Sequence, residues 1–250
     1  MIKKSSAVYY LPTLAISFIF LISIMMIRNL LGNNWFAADN EIVVNYLQVI
    51  SAIYAIIVGF VLYVVWNQFV EMEKTIGKEA GQLQAIRRLS SLIGDDEEQA
   101  VRWAVSDYIQ ETVKNGEEEE EAWKKLYLTT NIGKQNLNEM QRLAFSDILD
   151  KLEQVIEYRN ERIAIEKSKI PWPLWLILGI VTISLLVPFC LLSVESLGIH
   201  LFLTESSVIS SIFILSLIFD LNHPTAGTFN VSFMEMEKLL PDAHLRKRKI

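Results

Sequence analysis

Apolar and polar positions divide this chain into blocks of two kinds. Leu47 to Trp66 (LQVISAIYAIIVGFVLYVVW) holds no charged residue, and about 20 such residues form a helix long enough for a hydrocarbon core roughly 30 Å thick. From Asn67 onward the chain is polar, yet Phe69, Met72, Ile76, Ala80, Leu83, Ile86 and Ile93 keep the spacing of one helical face. No proline lies between them, so nothing forces a stop at a membrane surface. The pattern predicts one long helix, from about Asn45 to Ile93, that crosses a bilayer and continues into water as an amphipathic stalk.

Three further apolar runs follow the same logic. The first, 7–27, comes after a short basic leader and ends in Arg28-Asn29 without a small-x-small cleavage site, which predicts a retained membrane helix rather than a signal peptide. The third crossing opens at Pro171-Trp172-Pro173 with Trp175 one turn on, a helix start at a lipid interface, and carries Pro188 inside it. The fourth ends at Asp220 and is the least apolar, with Thr204, Glu205 and four serines in its first half. The expected crossings are thus about 7–27, 43–66, 172–192 and 199–219.

The polar region between the second and third crossings has no proline, and Gly94, Gly116 and Gly133 fall at breaks. Gly94-Asp95-Asp96 ends the stalk and offers Asp95 as an N-cap. Val101, Ala104, Val105, Tyr108, Ile109 and Val113 mark the apolar face of the next helix. A short helix begins with the acidic run Glu117 to Glu121 and includes Trp123, Leu126 and Leu128. That run suits a helix first turn and lacks the glycine turn and spaced oxygens of a calcium loop. After Asn131-Ile132-Gly133, a second long helix is expected from Gln135 to Ser168. Its stripe is Leu137, Met140, Leu143, Ala144, Ile148, Leu152, Val155, Ile156, Ile163 and Ile170.

The fold class this predicts is an all-α membrane protein, with four transmembrane helices and a cytoplasmic helical bundle between the second and third. Its parts are a first transmembrane hairpin (1–66), the bundle (67–170), a second hairpin (171–220) and a cytoplasmic tail (221–250).

Composition agrees: 52% of residues are apolar and mean hydropathy is +0.30. The net charge of −6 hides a segregation. Lys3, Lys4, Lys74, Lys78, Arg159, Arg162, Lys167, Lys169 and the terminal 246–249 cluster fall on one side of the expected membrane, and Arg28 alone on the other. The positive-inside rule therefore places both termini and the bundle in the cytoplasm of a multi-pass cell inner membrane protein. The single cysteine, Cys190, excludes an intramolecular disulfide.

No catalytic signature is present: no GxSxG, Walker loop, HExxH or dinucleotide fingerprint. His200, His223 and His244 have no neighbouring ligand at metal spacing. The chain is not expected to be an enzyme, nor to use a metal, a cofactor or a nucleic-acid partner. The informative polar positions lie in or beside the membrane. Ser51, Ala55 and Gly59 form a small-xxx-small stripe, which permits close helix packing or leaves room for a pore on an axis shared by several subunits. Glu205 is a carboxylate inside an expected crossing, where charge is costly and turns to a cavity or partner; the alternative is a helix that starts only at Ser206. In the bundle, Glu79, Arg87, Arg159 and Arg162 are candidates for cross-helix ion pairs.

The segments VVWNQFVEMEKTIGKEAGQL, DYIQETVKNGEEEEEAW, YRNERIAIEKSKIPWPLW and FDLNHPTAGTFNVS together resemble the bacterial bestrophin-like family, a domain of unknown function. Glu79-Ala80, Tyr108, Glu121 to Trp123, Arg159 with Arg162, Trp175, and Asp220 with Pro224 and Gly227 stand at that pattern's landmarks, whereas Pro224-Thr225-Ala226-Gly227 departs from the family's Pro-Phe-Ser-Gly turn. The resemblance implies a bestrophin-like topology and kinship with oligomeric anion channels whose pore is built from the second membrane helix. On that reading the chain is a homo-oligomeric ion channel in a lipid bilayer, passing inorganic ions, with anions favoured by the analogy. Its pore-lining candidates are Gln48, Ser51, Tyr54, Ala55, Gly59 and Leu62. The alternative is a non-conducting membrane scaffold or sensor whose helical bundle binds a partner.

Overall fold

A computed structural model describes residues 40–114, 119–130, 137–192, 194, 196–226 and 229–240. These hold seven helices: α1 (Asn40–Ser90), α2 (Asp95–Lys114), α3 (Glu119–Thr130), α4 (Glu139–Lys167), α5 (Trp172–Leu191), α6 (Leu197–Leu221) and the short α7 (Met234–Glu237). No strand occurs among the described residues. The crossing expected at 7–27 lies outside them. Among the described residues, three helices are long and apolar enough to span a membrane, within Asn40–Ser90, Trp172–Phe189 and Gly198–Leu221.

The 51-residue α1 runs unbroken through Trp66, joining the expected crossing to the expected stalk in one element. Glu41 in its first turn and Arg87 and Arg88 in its last suit the helix dipole. It stops at Ser90, short of Ile93, where serine side chains compete for the last carbonyls. Ser90 Oγ donates to the Arg87 carbonyl at 2.9 Å and Ser91 Oγ to that of Arg88 at 2.8 Å. The carbonyl of Gly94 accepts the Glu98 amide at 2.9 Å, so Gly94 caps α2, and Asp95 is its first helical residue rather than the expected cap.

The start of α4 also differs from expectation. It begins at Glu139, not Gln135, because Asn138 and Gln141 form a capping box. Asn138 Oδ1 accepts the Gln141 amide at 2.8 Å, and Gln141 Oε1 accepts the Asn138 amide at 3.0 Å. The Gln141 side chain also donates to the Ile93 carbonyl at 2.6 Å, joining this cap to the end of the α1–α2 connection.

Contacts divide the chain into two units, one holding residues up to Asn67 and Lys169–Asn230, the other Gln68–Ser168 and the chain from Val231. In the first unit, α5 and α6 pack as a hairpin. Trp175 meets Phe219 edge-on at 6.1 Å. Asn222, which follows α6, accepts the Ile170 amide at 2.9 Å on its side-chain oxygen, and Asp220 accepts the Phe229 amide at 2.8 Å. These two bonds hold the turn that follows α6.

The second unit has one apolar core. Met72, Ile76, Leu83 and Ile86 of α1, Val105, Tyr108 and Ile109 of α2, Leu126 of α3 and Ile148, Leu152 and Val155 of α4 are all sealed from solvent. Val231 and Met236 join them, so residues read from sequence as part of the tail belong to this core. Their apolar spacing is too short to announce a helix. The expected stripe of α4 narrows to Ala144, Ile148, Leu152 and Val155, while Met140 and Leu143 are 64% exposed and Leu128 of α3 is 65% exposed.

Leu152 and Leu143 thus provide a matched test on one helix. Leu152→Ala is expected to cost about 2–5 kcal/mol through lost burial and a residual cavity, and Leu143→Ala at most about 0.5 kcal/mol. Thermal unfolding of the detergent-solubilised protein checks the difference.

Candidate functional site

Two features stand out: a buried charge network in the second unit and an open face on the membrane part of α1. The network starts at Glu79, whose carboxylate the periodicity of α1 turns inward with Met72, Ile76 and Leu83. A buried carboxylate needs partners. Tyr108 of α2 donates its hydroxyl to Glu79 Oε1 in a short hydrogen bond. Arg162 of α4 places Nε 3.0 Å from Glu79 Oε2 and Nη2 2.5 Å from Glu119 Oε1 of α3. Arg159, one turn earlier, lies 3.3 Å from Glu119 and 2.7 Å from Glu120. Its guanidinium sits 5.9 Å from the Trp123 ring centre, and Trp123 meets Tyr108 edge-on at 5.8 Å. Four helices therefore converge on one salt-bridged point.

Burial pushes the Glu79 carboxyl above the usual carboxylate range, against the pull of Arg162 and of the hydrogen bond from Tyr108. Burial also opposes the Arg162 charge, but Glu79, Tyr108 and Glu119 together hold its pKa above the ordinary arginine value. The Tyr108 hydroxyl is held protonated well above 10, first by burial and then by the Glu79 charge.

Of the four expected ion-pair residues, the structure brings Glu79, Arg159 and Arg162 into this network. Arg87 lies elsewhere: its guanidinium donates to the backbone carbonyl of Leu239, a partner no charge pattern could indicate. Sequence reading missed Tyr108 as a hydrogen-bond donor and Glu119 and Glu120 as acceptors. A signal for Glu119 was present, since it stands four residues before the buried Trp123 and so shares that residue's helical face.

On α1, Leu47, Tyr54, Val58, Val61 and Val65 form the buried stripe. Gln48, Ser51, Ala55 and Gly59 are exposed and Leu62 is half-buried, on a row about a quarter-turn away. Ser51 Oγ donates back to the Leu47 carbonyl at 2.5 Å. Tyr54 therefore does not share a surface with the other five pore-lining candidates. A Cβ at Gly59 would meet nothing within 4 Å.

Glu205 lies inside α6, which begins two turns earlier at Leu197, not at Ser206. It is half-buried beside a buried polar row of His200, Thr204 and Ser211 on the same helix. Glu205 Oε2 and the Thr204 hydroxyl have no hydrogen-bond partner among the described residues. No group of three or more His, Cys, Asp or Glu among those residues could hold a metal ion.

Two tests follow from the network. Arg162→Met leaves Glu79 buried without its cation and is expected to cost about 3–5 kcal/mol, while Arg162→Met with Glu79→Met recovers most of that loss. Thermal unfolding of the three proteins reads the cycle. The second concerns alkaline pH. Below about 10 Tyr108 is protonated in both folded and unfolded chains; above it only the unfolded chain ionises, so its contribution to stability falls as pH rises. The wild-type protein should lose stability between about pH 9.5 and 11 more steeply than Tyr108→Phe, as read by unfolding midpoints across that range.

Comparison with known proteins gives a consistent result. No curated protein matches this chain. Among solved structures, that of a bacterial bestrophin homolog from Klebsiella pneumoniae, crystallised as a point mutant, matches with a TM-score of 0.64 at 17% sequence identity, covering 93% of this chain and 97% of that one. That likeness is one of fold. The model of the Bestrophin-like domain matches residues 14–234, nearly the whole chain, and on that ground the chain belongs to the Bestrophin-like family.

Proposed function

We propose that this protein is a homo-oligomeric ion channel of the membrane, with α1 lining a central pore. The observation that carries this reading is the open face of α1. Only 22% of the residues in its apolar window are buried, the same share as in α5 and α6, but on α1 one exposed row consists of Gln48, Ser51, Ala55 and Gly59. Helix surface of small and polar residues suits close approach of copies around an axis and leaves room for ions. A span this little buried by its own chain calls for lipid or other copies around it, and a closed ring is the usual arrangement of identical subunits. Family membership supports the same reading, and anion preference follows from the bestrophin analogy alone. Orientation with termini and bundle in the cytoplasm rests on the lysine and arginine distribution.

The test is ion flux from liposomes containing the purified protein. Wild-type protein should conduct, and Gly59→Trp should reduce flux at least about tenfold, because it puts a large ring on the open row at a position where a Cβ meets nothing within 4 Å among the described residues. Its oligomeric state and melting temperature should be unchanged. A monomer in mild detergent would defeat the pore. An intact oligomer that passes no ions would instead favour the scaffold reading, in which the helical bundle serves a partner.

A further inference from the structure

The second unit carries a pocket of about 510 Å³ on the side of α2 away from its core, a size within the range of small-molecule sites. Its wall is one face of α2, where Gln99, Arg102, Trp103, Asp107 and Gln110 recur at helical spacing, completed by Arg87 from the last turn of α1. Three properties set it apart. Trp103 is 63% exposed on a water-facing helix, an unusual place for the largest aromatic side chain. Lys125 stands 5.9 Å from the centre of its ring and 3.4 Å from Asp107. Finally, two guanidiniums face the same volume. Arg87 spends one donor on the Leu239 carbonyl and Arg102 pairs with Glu98, leaving further N–H groups of each for a ligand. The Arg87 pKa is lowered, first by burial and then by the Arg102 charge, the strain that an anion between them would relieve.

Charge along the face is ordered. Arg102 and Asp107 are five residues apart, about 7.5 Å along the helix axis, with Trp103 between them. An anionic group fits at the arginine end, where planar forks match phosphate oxygens. A flat ring fits on Trp103, and hydroxyls fit at Asp107, which accepts hydrogen bonds but repels a second anion. We propose that this pocket binds a mononucleotide-sized phosphate ester bearing an aromatic base, with the phosphate between Arg87 and Arg102, the base on Trp103 and the sugar hydroxyls at Asp107. The pocket shares no residue with the Glu79–Arg162 network or with the open row of α1, and binding requires no conduction.

Calorimetric titration of the full-length protein in detergent with AMP tests this, since stacking on an aromatic platform tolerates any base. AMP should bind one site per chain with micromolar affinity, and adenosine and inorganic phosphate each at least about tenfold more weakly. Arg102→Ala and Trp103→Ala should each weaken AMP about tenfold or more, and Trp103→Phe, which keeps a ring, by no more than about threefold. Absence of AMP binding up to about 1 mM overturns the proposal, as does undiminished binding by an Arg102→Ala protein with wild-type melting temperature. A Trp103→Cys protein in a Cys190→Ser background that cross-links to its own copies would show that another subunit covers this face, and would overturn it equally. Because the readout is equilibrium binding, its failure leaves the channel reading untouched, and loss of flux leaves this one untouched.

Discussion

A carboxylate and a guanidinium, both sealed from water, fix the second unit at one point. Glu79 and Arg162 are respectively 0% and 1% exposed. Taking two such charges out of water is expensive, and their attraction recovers the cost only when every remaining lone pair and N–H is satisfied. Tyr108 and Glu119 supply those satisfactions, and Arg159 in turn holds Glu119. The arrangement therefore works as a unit. A slip of α1 by one residue against α4 would turn Glu79 out of the core and leave Arg162 facing apolar side chains. Leu, Ile and Val contacts around it would tolerate such a slip far better, because dispersion and burial have no direction. Charge supplies the register that the apolar core alone does not.

The membrane part of α1 is held by different physics. Its apolar stripe packs inside the first unit through Leu47, Tyr54, Val58, Val61 and Val65, but most residues of its apolar window are not buried. One helix thus carries two kinds of specification, a narrow and strongly directional one at Glu79 and a broad, permissive one nearer Gln48. The α6 span adds a third condition, with polar atoms of Thr204 and Glu205 buried and without a hydrogen-bond partner among the described residues. Such atoms are costly at membrane depth.

Much of this was legible in the amino-acid pattern. Runs of apolar residues announce α1, α5 and α6 because a bilayer sets their length, and the 3.6-residue period of Ile148, Leu152 and Val155 announces a core. Glu79, Arg159 and Arg162 could be named because charges amid apolar periodicity must find partners. Their pairing could not, since it depends on how helices more than eighty residues apart in sequence meet. Tyr54 is buried with Leu47, Val58, Val61 and Val65 rather than on the open row, and valines, apolar on every side, give no hint in sequence of which face of α1 is covered. The cap at Asn138 was legible in its Asn-x-x-Gln spacing and was passed over, whereas the cap at Gly94 and the Arg87–Leu239 contact hinge on backbone carbonyls, which carry no sequence signature.

The glycines of α1 have a consequence of their own. Built at Gly59, Gly77 or Gly81, a methyl group would touch nothing within 4 Å, so the chain's own packing does not demand glycine at any of them. Each nonetheless weakens the helix by about 1 kcal/mol relative to alanine. Gly77 follows Gly59 by eighteen residues, a whole number of 3.6-residue turns, and Gly81 adds one turn more. Beside each of these three glycines of α1, the described residues leave space that nothing among them fills.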